Sequence, residues 1–368
     1  MIATIALKEQ NMFSKDYELT LSFFDVGGGD AILIRFLGND SKWHNILIDG
    51  GYGRTYKDVF GLLLRSLPEK EIIDLWIITH IDIDHIGAVQ GFIQDKKITD
   101  KRKTVKQFWF NHSPLTVKEG NGKVGVSQGV SLRAYLQSID LLVKEAITTD
   151  LLTTDLWGLK ITILSPTVDK LKIAQEKWQA KEHSGKLGRK QEQADHKKTI
   201  EELHRNEFTE DADPWNGSSI ACLLEYKGHL ALLLADSHPS VIIDSLKRLY
   251  ISPESPLKVS VMQLAHHGSK ANTCTDLLNL VKSANYVITG NGITNRHPDK
   301  ETLVRVLRQK ERHADQLEFI FPAKTDALAN LFSVDEEAFA KHRFCCKYPE
   351  PGNNHISLKF LPIEESTL

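Results

Sequence analysis

A layered α/β protein with mixed sheets is the fold class this sequence predicts, on two observations. Short apolar, β-branched runs alternate with helical patterns along most of the chain. Two pairs of these runs are joined by compact turns, Gly27-Gly28-Gly29 and Lys227-Gly228, which fits antiparallel neighbours within the same assembly.

The elements follow in order. "LTLSFFDV", "AILIRF" and "HNILIDGG" read as strands, and a helical stretch around Lys57 to Leu67 stops at Pro68. "IIDLWIITH" reads as a buried strand ending at His80, with a helix opening over Ile86 to Gln94. "VKQFWF" is a strand, Leu132 to Ala146 has helical spacing, and "LKITIL" is a strand again. From Thr167 to about Glu210, Lys, Glu, Gln and His dominate. One or two long exposed helices are expected there, broken near Ser184-Gly185, with a narrow stripe of Val168, Leu171 and Trp178. "SSIACLLEY" and "HLALLLAD" form the second hairpin. After them come a helix at "VIIDSLKRL", strands at "KVSVMQLAHHGS" and "NYVITG", a proline-opened helix at "PDKETLVRVLRQ", and strands "LEFIF" and "HISLKF". A single domain over 1–368 is expected, with 167–210 as a charged helical insertion and 315–368 as a C-terminal extension.

Composition narrows the function classes. The chain has 368 residues, 41% of them hydrophobic, enough for a sizeable core. With 46 basic and 48 acidic residues, the formal net charge of −2 does not advertise nucleic-acid binding, although a local patch is compatible with it. Four cysteines without a CxxC pair are not a disulfide framework. No apolar run has the length to span a bilayer, and the start lacks a signal-peptide pattern, so a cytoplasmic location without membrane contact is expected.

The polar residues of interest sit at strand ends. His80, Asp82, Asp84 and His85 follow one strand; Asp236, the pair His266-His267, Asp49 and Asp25 end others. In a straight strand, alternate residues stand roughly 6.6 Å apart. Metal ligands stand roughly 2.0–2.2 Å from an ion. The HxDxDH segment therefore curls into a loop or serves two ions, with Gly87 permitting a tight exit and Ile81 and Ile83 pointing back to the core. A polar loop capping the next helix explains one aspartate and one histidine, but not the whole set.

HxDxDH after an apolar strand resembles the HxHxDH signature of the metallo-β-lactamase fold, with Asp82 in place of the second histidine. Further stretches are similar, in order, to the hydrolase domain of the DNA-uptake channel ComEC and its free-standing relatives: "FFDVGGGDAILI", "ILIDGG", "WNGSSIACLLEY", "LLLADSH", "LAHHGSKANT" and "NRHPDKETLVRVL". The resemblance covers about residues 18 to 310, apart from the charged insertion. It implies a four-layer αββα sandwich with two divalent ions at one rim. His80 and Asp82 would serve the first ion and Asp84, His85 and His267 the second, with Asp236 bridging. His266 is the further metal candidate of the pair, with a supporting or strand-end core role favoured over direct ligation. Asp25, Asp30 and Asp49 would orient ligands or shape the loop. The third first-site histidine of the fold is replaced here by Asn216, a poor ligand. Carboxylate in place of imidazole moves the site toward manganese or magnesium and away from zinc.

This set implies hydrolysis by a metal-activated water, with Asp84 steering the water and Lys270, Asn272 or His297 contacting substrate or protonating the leaving group. The basic run Lys96 to Lys106, with Lys101, Arg102 and Lys103 at its centre, has the composition to hold a phosphate backbone. Ser113, Trp109 and Trp215 are candidates for walls or a stacking surface. A nuclease or phosphodiesterase acting on DNA leads. A small-ester hydrolase, acting on a lactone or choline phosphodiester, is the alternative. A non-catalytic module that binds a protein partner through the charged insertion is the third.

Overall fold

The structure, a computed structural model, describes residues 13–112, 124–143, 145–151, 153–183, 194–312 and 314–361. Two sheets face each other. The first contains β1 (Leu19–Phe24), β2 (Ala31–Leu37), β3 (Trp43–Asp49), β4 (Leu75–Ile78) and β5 (Phe108–Phe110). The second starts with β6 (Thr154–Leu156), β7 (Leu159–Ser165), β8 (Ala221–Tyr226) and β9 (His229–Leu233). Then come β10 (Leu257–Val259), β11 (Val261–Gln263), β12 (Val281–Ser283), β13 (Asn285–Val287), β14 (Leu317–Ile320), β15 (Phe344–Lys347) and β16 (His355–Phe360). The orders are β16-β1-β2-β3-β4-β5 and β15-β14-β13-β11-β9-β8-β7-β6, while β10 and β12 pair separately.

The layers follow from which faces are apolar. Leu21, Ile34, Ile46 and Ile77 of the first sheet and Ile161, Leu224 and Val261 of the second fill the space between them. The outer face of the first sheet packs Trp76 and Phe108 against the helix Ile83–Gln94. The outer face of the second packs Leu232 and Met262 against helices Pro239–Arg248, Thr275–Leu280 and Lys300–Leu307. Burial on both faces explains why the strands read as continuous apolar runs rather than alternating ones. The result is the metallo-β-lactamase αββα sandwich.

The expected hairpin forms between β8 and β9, with Lys227 and Gly228 both at positive φ (45° and 84°), as a tight turn matched to strand twist requires. Other expectations need correction. The helix expected from Leu132 runs over Val124–Ser138 and ends before Asp140, which is left-handed (φ 54°). "KVSVMQLAHHGS" divides between β10 and β11. The 315–368 extension is woven into both sheets, since β16 pairs with β1 while β14 and β15 lie in the other sheet.

The charged segment differs most from expectation. It does carry the helix Val168–His183, but Leu171, Ala174 and Trp178 on it are buried, and Trp178 packs against Trp215 (ring centroids 6.4 Å apart). Further on, Ile200 and Leu203 are also buried. Asp195 accepts hydrogen bonds from the backbone N–H groups of Lys300 and Glu301 (2.8 and 2.9 Å), satisfying the start of that helix. The expected break near Ser184-Gly185 lies outside the described residues. A few large apolar residues spaced along a polar helix suffice for docking, which the averaged composition concealed.

A candidate two-ion metal centre

The HIDIDH segment bends at once. His80 leaves β4, Asp82 takes the position before the helix Ile83–Gln94, and Asp84 and His85 stand in its first turn. Asp82 makes no side-chain cap to this helix; its Oδ2 turns instead toward His80 Nε2 (3.9 Å). Ile81 is buried, but Ile83 is exposed, so only the first isoleucine anchors the bend. Gly87 matters for packing: a Cβ there would come within 2.4 Å of Gly53 N and 2.7 Å of Gly51 O, so only glycine lets the helix lie on that turn.

Asp236 lies at the centre. Its Oδ1 is 3.3 Å from His85 Nε2 and 3.7 Å from His267 Nε2. Its Oδ2 is 3.7 Å from His80 Nε2 and 3.6 Å from His266 Nε2. Asp84 Oδ2 completes one side, 3.4 Å from His267 Nε2. His80 Nε2, His85 Nε2, His267 Nε2 and Asp236 Oδ1 are buried and have no hydrogen-bond partner. Buried polar atoms left unpaired are costly, and these converge, so the donor set fits divalent cations.

The far sides of the rings are engaged. His85 Nδ1 meets Asp49 Oδ2 at 2.7 Å, and Asp49 also accepts from Thr79 N (2.8 Å) and Thr79 Oγ1 (2.6 Å). His267 Nδ1 lies 3.1 Å from Asp30 Oδ1 and 2.9 Å from Thr289 Oγ1. His80 Nδ1 lies near Thr79 Oγ1 (3.1 Å) and Ser219 Oγ (3.2 Å). Such contacts fix ring orientation and leave Nε2 for the interior. Asp30, His85, Asp236 and His267 gather within 4.8 Å. Both Asp30 oxygens are engaged elsewhere: Oδ1 accepts from Thr289 (2.6 Å) and Oδ2 from Gln263 (2.6 Å). Asp25 lies outside the cluster and closes the glycine turn by accepting from Gly27 N (3.0 Å).

Backbone strain marks the same place. Asp49, Ala235, His266 and His267 are left-handed (φ 53°, 44°, 51° and 56°). Each such non-glycine residue costs roughly 1–3 kcal/mol, which the surrounding structure must offset.

The clustered charges shift one another's proton affinities. Burial and the neighbouring Asp84 and Asp236 carboxylates push half-buried Asp82 up to about 7. Burial also acts on Asp236, but the charges of His266, His85 and His267 override it and hold the carboxyl well below the usual range. His80 falls to about 4 through burial and the neighbouring His85. Burial opposes protonation of His267, yet Asp236 and Asp30 raise it to about 10.

The remaining candidates scatter. His297 stands beside His266 (ring centroids 5.2 Å apart), its Nδ1 3.4 Å from Asp299 Oδ2. Lys270 donates its backbone N–H to the same carboxylate (2.8 Å). Asn272 is buried behind the site, its Nδ2 donating to the carbonyls of Asp236 and Ser237 (3.2 and 3.3 Å). Trp109 and Trp215 are core residues rather than a stacking surface, and Ser113 lies outside the described residues. The basic run follows the C-terminus of Ile83–Gln94, whose N-terminus holds Asp84; twelve residues of helix span about 18 Å. Lys106 precedes β5, which runs parallel to β4, so the run lies at the rim opposite His80. The Lys101 ammonium donates to the carbonyls of Asp95 and Ile98 (3.0 and 3.2 Å), and Lys103 pairs with Asp100 (3.1 Å). The expected grip of Lys101, Arg102 and Lys103 on a strand at the site therefore finds no geometric support.

Asp211, Thr79, Ser219, Thr289 and Gln263 are site residues that the sequence reading missed. Asp211 alone had a signal, the acidic doublet Asp211-Ala212-Asp213 just before Asn216.

Residues 24–168 match the model of the Metallo-beta-lactamase superfamily, a stretch that includes His80 to His85 but not Asp236, His266 or His267. Among solved structures, the chain is similar to the crystal structure of CmlA, a diiron beta-hydroxylase from Streptomyces venezuelae. The identity is 12% and the TM-score 0.39, with 94% of this chain and 55% of that chain covered. The chain thus spans about half the length of that structure. No curated protein matches the chain. Among the described residues, no helix is long and apolar enough to cross a membrane.

Proposed function

We propose that the protein is a metal-dependent hydrolase of phosphodiester bonds, with nucleic acid, DNA foremost, as its substrate. The observation that carries this reading is the two-sided carboxylate of Asp236, one oxygen toward His85 and His267 and the other toward His80 and His266. His80, Asp82 and Asp236 would hold one cation, and Asp84, His85, His267 and Asp236 a second. Two such cations would supply Lewis acidity and a water acidified enough to attack at neutral pH.

The protein's own residues then have separable tasks. Asp49 and Asp30 take the Nδ1 protons of His85 and His267 and keep their Nε2 lone pairs inward. Asp84 orients the attacking water, and its carboxyl stays ionised: burial opposes this, but His267, 3.4 Å away, and the charge of His85 prevail. His297 stands beside His266 and is braced by Asp299, but burial lowers its proton affinity, so it would pass a proton to the leaving oxygen as a relay rather than as a resting acid. The choice of nucleic acid rests on the sequence resemblance to ComEC-type hydrolase domains.

The test is cleavage of labelled single- and double-stranded DNA with manganese, beside a chromogenic phosphodiester and a lactone. DNA cleavage that disappears in Asp84→Ala and His267→Ala is expected. Rapid turnover of the lactone, with DNA untouched across salt and metal conditions, would overturn the reading in favour of small-ester hydrolysis.

A further inference from the structure

We propose that His266 supplies the imidazole for the ion position lined by His80 and Asp82, and that Asp211, just past the charged segment, is the residue that positions it. This deepens the two-ion reading above and rests on it. In the resemblance, the loop before "GSSI" brings that imidazole; here the loop brings Asn216.

The contacts around His266 argue for the proton on Nδ1. Nδ1 lies 3.0 Å from Asn272 Oδ1, 3.4 Å from Asp211 Oδ2 and 3.3 Å from Asn216 Nδ2. Asn272 cannot be flipped, because its Nδ2 donates to two backbone carbonyls and to Asp211 Oδ2 (3.3 Å). Its Oδ1 therefore faces the ring as an acceptor. Asn216 Nδ2 is committed more closely to Asp211 Oδ2 (2.5 Å). Two acceptors outweigh one diverted donor, so the proton resides on Nδ1. Nε2 is left with its lone pair toward Asp236 Oδ2 at 3.6 Å, the oxygen that also faces His80.

Asn216 serves the same cradle. Its amide nitrogen ties to Asp211, and what remains for an ion is a neutral amide oxygen, which has no hydrogen-bond partner. A histidine whose backbone is left-handed and whose ring is held by three side chains is built for direction. Asp211 is itself anchored, donating its backbone N–H to Ala271 O (3.0 Å). Occupancy of one ion position thus depends on a residue just past the charged segment.

Manganese titration of metal-stripped protein tests this, following free ion by electron paramagnetic resonance and heat by calorimetry. Wild type should take two ions. His266→Ala should lose one and keep the other at unchanged affinity, and His266→Gln replaces it if the alanine variant does not fold. Asp211→Ala should weaken one ion about 10–100-fold and spare the other, while Asn216→Ala still takes two. Loss of one ion by Asn216→Ala but not by His266→Ala, equal weakening of both ions in Asp211→Ala, or a wild type that binds fewer than two would each overturn the assignment. Failure of DNA cleavage with the expected titrations would sink only the functional reading.

Discussion

His85 Nδ1 and Asp49 Oδ2 stand 2.7 Å apart, although 36 residues separate them in sequence. Both are fully buried, and the same carboxylate accepts from Thr79. Asp49→Asn keeps the shape but can present an N–H to Nδ1, which would favour the other tautomer. We expect one of two bound manganese ions to weaken about 10–100-fold while the second is retained. Calorimetric titration of the variant checks this; unchanged affinity for both ions refutes it.

Ion preference follows from the donor set. Even with His266 on it, the His80 side is poorer in imidazole than a zinc enzyme of this fold because Asp82 stands for a histidine, and oxygen donors favour manganese over zinc. Activity of metal-stripped protein should be restored more fully by manganese. Best restoration by zinc would contradict this.

The charged segment should prove integral to stability. Trp178 is only 2% exposed and sits in the cluster with Phe110 and Trp215. Trp178→Ala should cost about 3–5 kcal/mol, and replacing 167–210 by a Gly/Ser linker should abolish cooperative unfolding. Urea melts followed by tryptophan fluorescence and circular dichroism distinguish this from a dispensable appendage.

His355 offers a pH test away from the metal centre. Burial first, and Lys359 second, lower its proton affinity to about 4, against 6.5 for the ordinary group. The folded state therefore binds fewer protons than the unfolded one between those values. The contribution is present above 6.5 and is lost as pH falls toward 4, up to about 2–3 kcal/mol. His355→Phe should be less sensitive than wild type across pH 6.5 to 4.5. Parallel denaturant curves for the two proteins would rule this out.

How much of this was legible in the sequence depends on the range of the interactions. The strands were readable because they are buried on both faces and therefore continuously apolar, and the hairpin turn because Lys227-Gly228 must adopt positive φ. His80, Asp84 and His85 were visible as a local pattern. Whether Ile83 faces in or out was not, since the helix begins at that residue and replaces the period of two with one of 3.6. The place of His266 was not legible either. Its direction depends on Asp211, far earlier in the chain, and on two consecutive left-handed residues that no propensity favours. The stripe through Leu171 and Trp178 was legible in the 167–210 segment, but the depth of its docking was not, since Ile200 and Leu203 are few among many charged residues.

The candidate metal centre lies on the seam between the two sheets. The six-stranded sheet brings His80, Asp82, Asp84 and His85, and the eight-stranded sheet brings Asp236, His266 and His267. A cation held there is a removable cross-link between two halves of the molecule. Binding only to the joined form stabilises it by mass action, about 2.7 kcal/mol at a hundredfold excess over the dissociation constant. The integrity of the sandwich then depends in part on its ionic surroundings: the shared core joins the sheets in chelator, and a bound cation tightens that union further.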